Sequence, residues 1–319
     1  MHLIKPAALQ TGDTIAVVAP ASRPVLPSSL SQGIHQLRDM GFQVKCGSHV
    51  LSRNGFLAGT DADRLQDLHD MFADPDVKGI FCARGGYGCG RLLPTVDFEL
   101  VRSNPKVFIG YSDITALQVA LLNETGLVTF WGPMVSSELG KHPFPDYSRK
   151  ALLKAITQDN PIGIIDDAPD AAPLQIINAG LAQGPLIGGT LSLLAASIGT
   201  PWALNSDGAI LFLEEVGEEP HKIDRMLNQL LQAGKLDQIA GAVIGECYGC
   251  GSATHGPAFP YGNFSVEEVF YDYFGKLDIP VISGMAIGHG TYKTTLPIGV
   301  RATLDANQGT LSIDESGVI

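Results

Sequence analysis

The sequence of 319 residues contains no hydrophobic run long enough to cross a membrane. Residues 1–6 also lack the basic stretch, followed by an apolar stretch, that marks a secretory signal. We therefore expect no membrane partner and a cytoplasmic location. Hydrophobic residues make up 45% of the chain and charged residues 17%, which is typical of a folded globular protein large enough for two cores.

Cysteine is also scarce, with five residues in the whole chain. The odd number and the scattered positions indicate free thiols in a reducing compartment rather than a disulfide framework. Cys247 and Cys250 form a single C-x-x-C motif at a glycine-rich loop, residues 248–262, without a second cysteine pair or a histidine at zinc-finger spacing. We therefore predict no metal site and no cofactor.

Basic residues are in the minority. There are 21 Lys and Arg against 33 Asp and Glu, which gives a formal net charge of −12, and the basic residues form no cluster. A protein that follows a phosphate backbone needs a basic surface. The sequence therefore predicts no nucleic-acid partner and favours a small molecule or a peptide as ligand.

The sequence does contain a strand, a sharp turn and a helix around Ser112. Residues 107–109 are typical of a buried strand, Gly110 follows it, and apolar residues recur at helical spacing over 114–122. A serine at such a turn is raised above the sheet edge, beside the N–H groups of the helix N-terminus, so Ser112 is the candidate nucleophile. The alternative is that Ser112 and Asp113 only cap the helix.

Strands and helices alternate along the first half of the chain. The helical pattern covers residues 29–40 and then a segment that Thr60 can cap and that ends at Asp74. The expected strands cover residues 14–19, 42–44, 79–83, 107–109 and 128–131. This alternation predicts an α/β fold with a parallel sheet, whose ligands bind at the carboxyl ends of the strands.

The pattern weakens over residues 137–174, where only one helix, 148–157, stands out. We therefore predict an N-terminal domain over residues 1–145, a linker over 146–175 and a C-terminal domain over 176–319. In the C-terminal domain we expect strands at 209–213 and 239–244, a helix at 266–274 and an antiparallel hairpin over 296–313 that turns at 306–309.

A glycine-rich loop, residues 84–90, follows the predicted strand at 79–83. The spacing of Gly86, Gly88 and Gly90 does not fit the dinucleotide fingerprint, which requires G-x-G-x-x-G at the start of a helix. Glycine also lets backbone N–H groups approach a reacting carbonyl, so the loop is a candidate oxyanion hole. A tight turn between a strand and a helix is the alternative.

A serine nucleophile needs a base, and the base needs an orienting acid. His289 is the candidate base because it stands between two glycines in a loop after a predicted strand, whereas most other histidines have ordinary contexts. Glu214 is the candidate acid, since a carboxylate directly after five apolar residues is partly buried and needs a partner. Glu215 is its rival, and strand alternation lets only one of the two point toward the site.

Five motifs in this order resemble the serine LD-carboxypeptidases, the murein tetrapeptide carboxypeptidase family, to which microcin C immunity proteins are related. They are RGGYG at 84–88, GYSD at 110–113, GGTLS at 188–192, LEE at 213–215 followed by IDR at 223–225, and GH at 288–289 with TLPIG at 295–299. The resemblance implies that Ser112 is the nucleophile, Glu214 the acid and His289 the base.

The resemblance also implies a fold and a reaction. The N-terminal domain would have a parallel sheet of the flavodoxin or glutamine-amidotransferase type, the C-terminal domain would be a mixed β/α domain of the swivelling type, and the protein would be a homodimer. The oxyanion hole would use the N–H groups of Asp113 and of Gly85 or Gly86. The reaction would be hydrolysis of the bond between an L-diamino acid and D-alanine in murein tetrapeptides, during cell-wall recycling.

Arg84 and Tyr87 are the candidate substrate-binding residues. The leaving D-alanine carries a carboxylate, and Arg84 is the cation that we expect to bind it; the alternative is a structural arginine that bonds loop carbonyls. Two other functions stay open. One is a hydrolase of peptidyl or aminoacyl nucleotides, as in microcin C immunity, and the other is a muropeptide-binding protein without catalytic activity.

Overall fold

The computed structural model describes residues 2–171, 173–251 and 264–319, so most of the predicted glycine-rich loop at 248–262 lies outside the described residues. The strands are β1 (Thr14–Val18), β2 (Gln43–Cys46), β3 (Val77–Cys82), β4 (Val107–Gly110), β5 (Thr129–Trp131), β6 (Gly163–Ile164), β7 (Gln175–Asn178), β8 (Leu181–Thr190), β9 (Ile210–Val216), β10 (Gly241–Tyr248), β11 (Val281–Ser283), β12 (Leu296–Ile298), β13 (Arg301–Asp305) and β14 (Thr310–Ile313). The α-helices are α1 (Pro27–Asp39), α2 (Asp61–Ala73), α3 (Phe98–Ser103), α4 (Thr115–Thr125), α5 (Asp146–Thr157), α6 (Leu191–Ala196), α7 (Pro220–Gln232) and α8 (Val266–Phe274). Among the described helices, none has both the length and the apolar composition that a membrane span requires.

The first of two compact units contains Met1–Pro161, Thr294–Val300 and Glu315–Ile319. Its six-stranded sheet has the order β12-β5-β4-β3-β1-β2, in which β1 to β5 are parallel and β12 pairs with β5 in the antiparallel sense. The order 2-1-3-4-5 of the parallel strands is the flavodoxin-like order, so the predicted fold of this part is confirmed. Its switch point lies between β1 and β3, where ligands bind in such sheets.

Local sequence accounts for the elements of this unit. Every residue of the central strand β4 is buried, as expected of a parallel strand that helices cover on both faces. The predicted cap of α2 is confirmed: the hydroxyl of Thr60 accepts a hydrogen bond from the Asp63 N–H, and the Asp63 carboxylate accepts one from the Thr60 N–H. This reciprocal capping box fixes where the helix begins.

The second unit contains Ile162–Lys293 and Arg301–Asp314. Its eight-stranded sheet has the order β6-β14-β13-β8-β9-β10-β11-β7. Strands β8 to β11 run parallel, and the other four strands join the sheet in the antiparallel sense. The predicted mixed β/α class is therefore confirmed, and β8 and β9 are the two central strands of the sheet.

The two units are not contiguous in the sequence. Helix α5, at the start of the predicted linker, belongs to the first unit, and so does β12. The hairpin predicted over 296–313 is therefore too long, because only β13 and β14 form it. Strand β12 is buried beside β5 instead. Gly299, with φ of 97°, turns the chain after β12. The domain limits at 145 and 175 stay predictions.

Candidate active site

Ser112 lies at the turn that connects β4 to α4, as the sequence predicts. Residues Ser112–Ile114 form a 3-10 turn, and the φ of Ser112 is 64°, in the left-handed region. Non-glycine residues in this region carry backbone strain, on the order of 1–3 kcal/mol, and such strain is concentrated at functional sites. The capping alternative is wrong, because Ile114 occupies the N-cap of α4 and no side chain caps this helix.

Gly85 lies directly against Ser112. A Cβ atom at Gly85 would stand 2.8 Å from the Ser112 Cβ, 2.9 Å from its Oγ and 3.3 Å from the Asp113 nitrogen. Gly86 has φ of 107°, and a Cβ there would stand 2.4 Å from the Oγ of Ser22. The main chain at position 85 can therefore approach the serine only because Gly85 has no side chain, and Gly86 meets a different neighbour.

Ser22 connects the two sides of the switch point. It follows β1, its N–H donates to the Gly85 carbonyl at 3.2 Å, and its Oγ accepts from the Tyr87 N–H at 3.2 Å. These bonds fix the glycine-rich loop after β3. Ser22 could not be predicted from the sequence, since nothing in its local context relates it to a loop 65 residues away.

The side chain of Asp113 also fixes this loop. It is 3% exposed, and its Oδ2 accepts a hydrogen bond from the Cys89 N–H at 2.8 Å. Burial raises the pKa of Asp113, and the bonds from Cys89 oppose that rise. The side chain therefore has a structural partner, while the main-chain nitrogen of Asp113 lies beside Gly85.

Arg84 and Tyr87 stand at the two ends of the glycine pair. Arg84 is half-buried and, among the residues that the structure describes, forms no hydrogen bond or ion pair. Tyr87 is 53% exposed, and its ring packs edge-on against exposed Phe56, with 5.3 Å between the centroids. The structural arginine of this loop is instead Arg64, which is 1% exposed and donates to the carbonyls of Pro20 and Gly88.

In the second unit, Glu214 and His289 form a hydrogen-bonded pair. Glu214 is fully buried in β9, and its Oε2 lies 2.7 Å from Nδ1 of His289. A carboxylate only accepts, so the imidazole donates from Nδ1 and, when neutral, has Nε2 as its basic nitrogen. Oε1 of Glu214 accepts from the hydroxyl of Thr190, at the end of β8. Thr190 lies within the GGTLS motif, and the sequence assigned it no role.

Glu215 points to a different environment. Its carboxylate accepts from the Ser192 N–H at 2.7 Å, in the first turn of α6, and from the Val216 N–H at 2.9 Å. Burial raises its pKa, and these two hydrogen bonds oppose the rise. His289 is therefore paired with Glu214 and not with its rival, although the catalytic roles of these residues stay predictions.

Cys247 and Cys250 lie at and just after the end of β10. Interaction between the two thiols raises the pKa of Cys247 and lowers that of Cys250, and Cys250 Sγ accepts from the Glu218 N–H at 3.4 Å. These contacts tie the turn after β10 to the turn after β9. No group of three or more His, Cys, Asp or Glu side chains within the described residues is arranged to hold a metal ion.

Replacing Gly85 with alanine tests how close the loop must come to Ser112. The new Cβ would stand 2.8 Å from the Ser112 Cβ, so the serine or the loop must move. We expect kcat to fall by about 10²-fold, because misplacement of reacting groups by an ångström has an effect of that order. The measurement is steady-state kinetics of the hydrolysis that the sequence predicts.

Gly90→Ala is the matched control for Gly85→Ala. Gly90 belongs to the same loop, but a Cβ there meets no atom within 4 Å. Its kinetics should equal those of the wild type. A Gly85→Ala enzyme as active as Gly90→Ala would show that the close approach of loop and serine has no catalytic importance.

Comparison with known proteins identifies the family. The LD-carboxypeptidase N-terminal domain matches residues 15–132, and the LD-carboxypeptidase C-terminal domain matches residues 183–304. The chain is 41% identical over 317 residues to the probable murein peptide carboxypeptidase of Bacillus subtilis, covering 98% of this chain and 95% of that protein. It is 33% identical to the murein tetrapeptide carboxypeptidase of Pseudomonas aeruginosa, covering 92% and 94%.

Solved structures show the same fold. The microcin C7 self-immunity protein MccF of Escherichia coli is also related to this chain in sequence. The wild-type apo structure of MccF matches the structure of this chain with a TM-score of 0.88 at 26% identity. The match covers 99% of this chain and all of that one. With both family domains matched and relatives similar over almost the whole length, the chain belongs to the LD-carboxypeptidase family and is a peptidase.

Proposed function

We propose that this protein is a cytoplasmic serine carboxypeptidase that removes D-alanine from murein tetrapeptides in cell-wall recycling. The names of the relatives from Bacillus subtilis and Pseudomonas aeruginosa support the substrate class. The observation that carries the proposal is the buried Glu214 carboxylate at 2.7 Å from Nδ1 of His289. A buried acid bound to one imidazole nitrogen is the arrangement that makes the other nitrogen a general base.

In the proposed mechanism, Ser112 attacks the carbonyl carbon of the diamino acid. Its hydroxyl proton passes to Nε2 of His289, and the resulting imidazolium is stabilised by Glu214. Collapse of the tetrahedral intermediate breaks the C–N bond, and the imidazolium gives its proton to the leaving amino group of D-alanine. Water then attacks the acyl-enzyme with the same base, which restores Ser112 and releases the shortened peptide.

We further propose that the developing oxyanion is bound by main-chain N–H groups at Asp113 and at the glycine pair. The distance of 3.3 Å between a Cβ built at Gly85 and the Asp113 nitrogen supports a convergence of these two stretches of backbone. Backbone donors at a fixed turn need no reorganisation as charge develops, and each is worth several kcal/mol, roughly 3–4, in such sites. Gly86 is the other candidate for the second donor.

Arg84 is proposed to bind the carboxylate of the leaving D-alanine, beside Tyr87 as a further substrate contact. It is half-buried and has no acidic partner among the described residues, so its charge is available for a ligand. We expect Arg84→Ala to raise KM by about 10-fold or more, with a smaller change in kcat. The reason is that a contact to the terminal carboxylate stabilises the bound substrate and the transition state equally. Kinetics with the tetrapeptide and with its C-terminal amide measure this, and only the wild type should distinguish the two peptides.

Arg91→Ala is the control for the Arg84 prediction. Arg91 directly follows this loop, but its guanidinium already has a partner in the carboxylate of Asp61. Its KM should equal that of the wild type. An Arg84→Ala enzyme with unchanged KM would remove Arg84 from the proposed binding site.

The proposed function is tested by measuring D-alanine release from the murein tetrapeptide, with and without a chelator. We expect release in both conditions, and none from the same peptide ending in L-alanine. Light scattering on the same sample tests the proposed homodimer. Absence of release from a folded protein would overturn the proposed reaction, and tight binding without cleavage would then identify a muropeptide-binding protein.

A second candidate function is hydrolysis of peptidyl or aminoacyl nucleotides. The observation that favours it is the structural similarity to the microcin C7 self-immunity protein, at a TM-score of 0.88. An aminoacyl sulfamoyl adenosine, the ligand type in one structure of that protein, is the appropriate probe. Cleavage of this compound in preference to the tetrapeptide would favour the second function.

A further inference from the structure

The loop that carries His289 lies against the end of β10 at Glu246. The Glu246 N–H donates to the Ile287 carbonyl at 2.7 Å, and the Gly290 N–H donates to Oε2 of Glu246 at 3.0 Å. A Cβ at Gly288 would stand 2.7 Å from the Cβ of Glu246, and a Cβ at Gly290 would stand 2.3 Å from both carboxylate oxygens. The glycines on both sides of His289 therefore allow the loop to lie directly on the Glu246 side chain.

A buried lysine holds the other polar atom of Gly290. Lys293 is fully buried, and its ammonium donates to the Gly290 carbonyl at 2.5 Å. The residue next to His289 is thus bound by a carboxylate at its N–H and by an ammonium at its carbonyl. Burial raises the pKa of Glu246, whereas the Gly290 hydrogen bond and the Lys293 charge lower it.

We propose that Glu246 is a positioning residue that fixes His289 through the main chain of Gly290. The inference rests on the proposed function, in which His289 is the base. Glu246 itself bonds the backbone rather than the imidazole, so it acts on the reaction through the orientation of His289. A hydrogen bond from a main-chain N–H to a carboxylate is among the stronger ones in proteins, because the acceptor is charged.

The kinetic test compares Glu246→Ala with Glu246→Gln. Alanine removes the acceptor for the Gly290 N–H, and we expect kcat to fall by about 10- to 100-fold with KM unchanged. Glutamine keeps an acceptor oxygen without the charge, so it should restore kcat. The charged groups around this carboxylate are Glu214, His289 and Lys293. An alanine variant with wild-type kcat, or a glutamine variant as impaired as alanine, would overturn the proposal.

Glu268→Ala is the matched control. Glu268 also accepts one main-chain N–H, that of Ser265 at 2.7 Å, but it does so in the capping box of α8. Its loss should lower thermal stability and leave kcat unchanged. An equal fall of kcat in Glu268→Ala would reduce the effect at Glu246 to general destabilisation and contradict the proposal.

Nitrogen-15 NMR of histidine-labelled protein tests the positioning without an activity measurement. The Nδ1–H signal of His289, assigned by its loss in His289→Asn, should be slow to exchange in the wild type and in Glu246→Gln. In Glu246→Ala it should broaden or exchange rapidly. If the three spectra differ in this way but the wild-type protein releases no D-alanine, only the proposed function is overturned. Identical spectra in all three proteins would overturn the positioning role.

Discussion

Ser112→Ala is expected to lower kcat for D-alanine release by at least about 10⁴-fold, because removal of a serine nucleophile leaves only binding and oxyanion stabilisation. KM for the tetrapeptide should change little, since Ser112 contributes a reacting atom and no binding group in the proposed mechanism. Single-turnover experiments with mass spectrometry should detect an acyl-enzyme in the wild type and none in the variant. A variant that retains a tenth of the activity would show that the reaction does not pass through this serine.

Ser112→Gly separates the chemistry from the strain at the same position. With φ of 64°, Ser112 occupies a conformation that glycine adopts without a steric penalty. We expect Ser112→Gly to be as inactive as Ser112→Ala but more stable than it, by about 1 kcal/mol in the free energy of unfolding. Denaturant unfolding measures the difference. Equal stability of the two variants would mean that the left-handed conformation of Ser112 costs little.

Much of the fold could be predicted because its signals are local. The buried run before Ser112, the turn and the helical spacing after it lie within about a dozen residues, and the structure has a strand, a 3-10 turn and a helix there. The capping box at Thr60 is equally local. Glu214 could also be anticipated, because a carboxylate at the end of an apolar strand needs a partner wherever that partner lies in the sequence.

The residues that sequence reasoning missed act through distant contacts. Ser22 bonds a loop 65 residues away, Arg64 supports the same loop from α2, and Thr190 reaches Glu214 across two adjacent strands. None of these side chains interrupts a periodic pattern, so periodicity gives no signal for them. The place of β12 in the first unit is missed for the same reason, since strand pairing with β5 spans more than 160 residues.

Gly85 and Gly86 are adjacent in one motif but have different neighbours in the structure. Both glycines belong to the same RGGYG sequence and were equivalent as oxyanion candidates. Only three-dimensional packing distinguishes them, because Gly85 faces Ser112 whereas Gly86 faces Ser22. The sequence therefore predicts that a close approach occurs in this loop, but the partner of each glycine depends on how β1, β3 and β4 are ordered in the sheet.

Glu214→Gln is expected to lower kcat by about 10³- to 10⁴-fold without unfolding the protein, as loss of the orienting acid does in serine peptidases. In the wild type, one carboxylate oxygen accepts from Thr190 and the other from Nδ1 of His289. If the glutamine oxygen keeps the Thr190 bond, its amide donates to Nδ1, and the imidazole proton must move to Nε2. A protonated Nε2 cannot take the proton of Ser112, so the general base is lost although the hydrogen-bond geometry survives.

Glu215→Gln is the control for this prediction, because the two carboxylates are adjacent in β9 and both are buried. Glu215 accepts from two main-chain N–H groups, at Ser192 and Val216, and an amide can satisfy only one of them with its oxygen. We therefore expect Glu215→Gln to lose about 1–3 kcal/mol of unfolding free energy while retaining most of its kcat. Measurement of kcat and of denaturant unfolding on both variants gives opposite outcomes if the assignment is right: activity falls in one, and stability in the other. If Glu215→Gln lost activity as severely as Glu214→Gln, the hydrogen bond to His289 would not be enough to identify Glu214 as the orienting acid. Both glutamates would then be needed for that role.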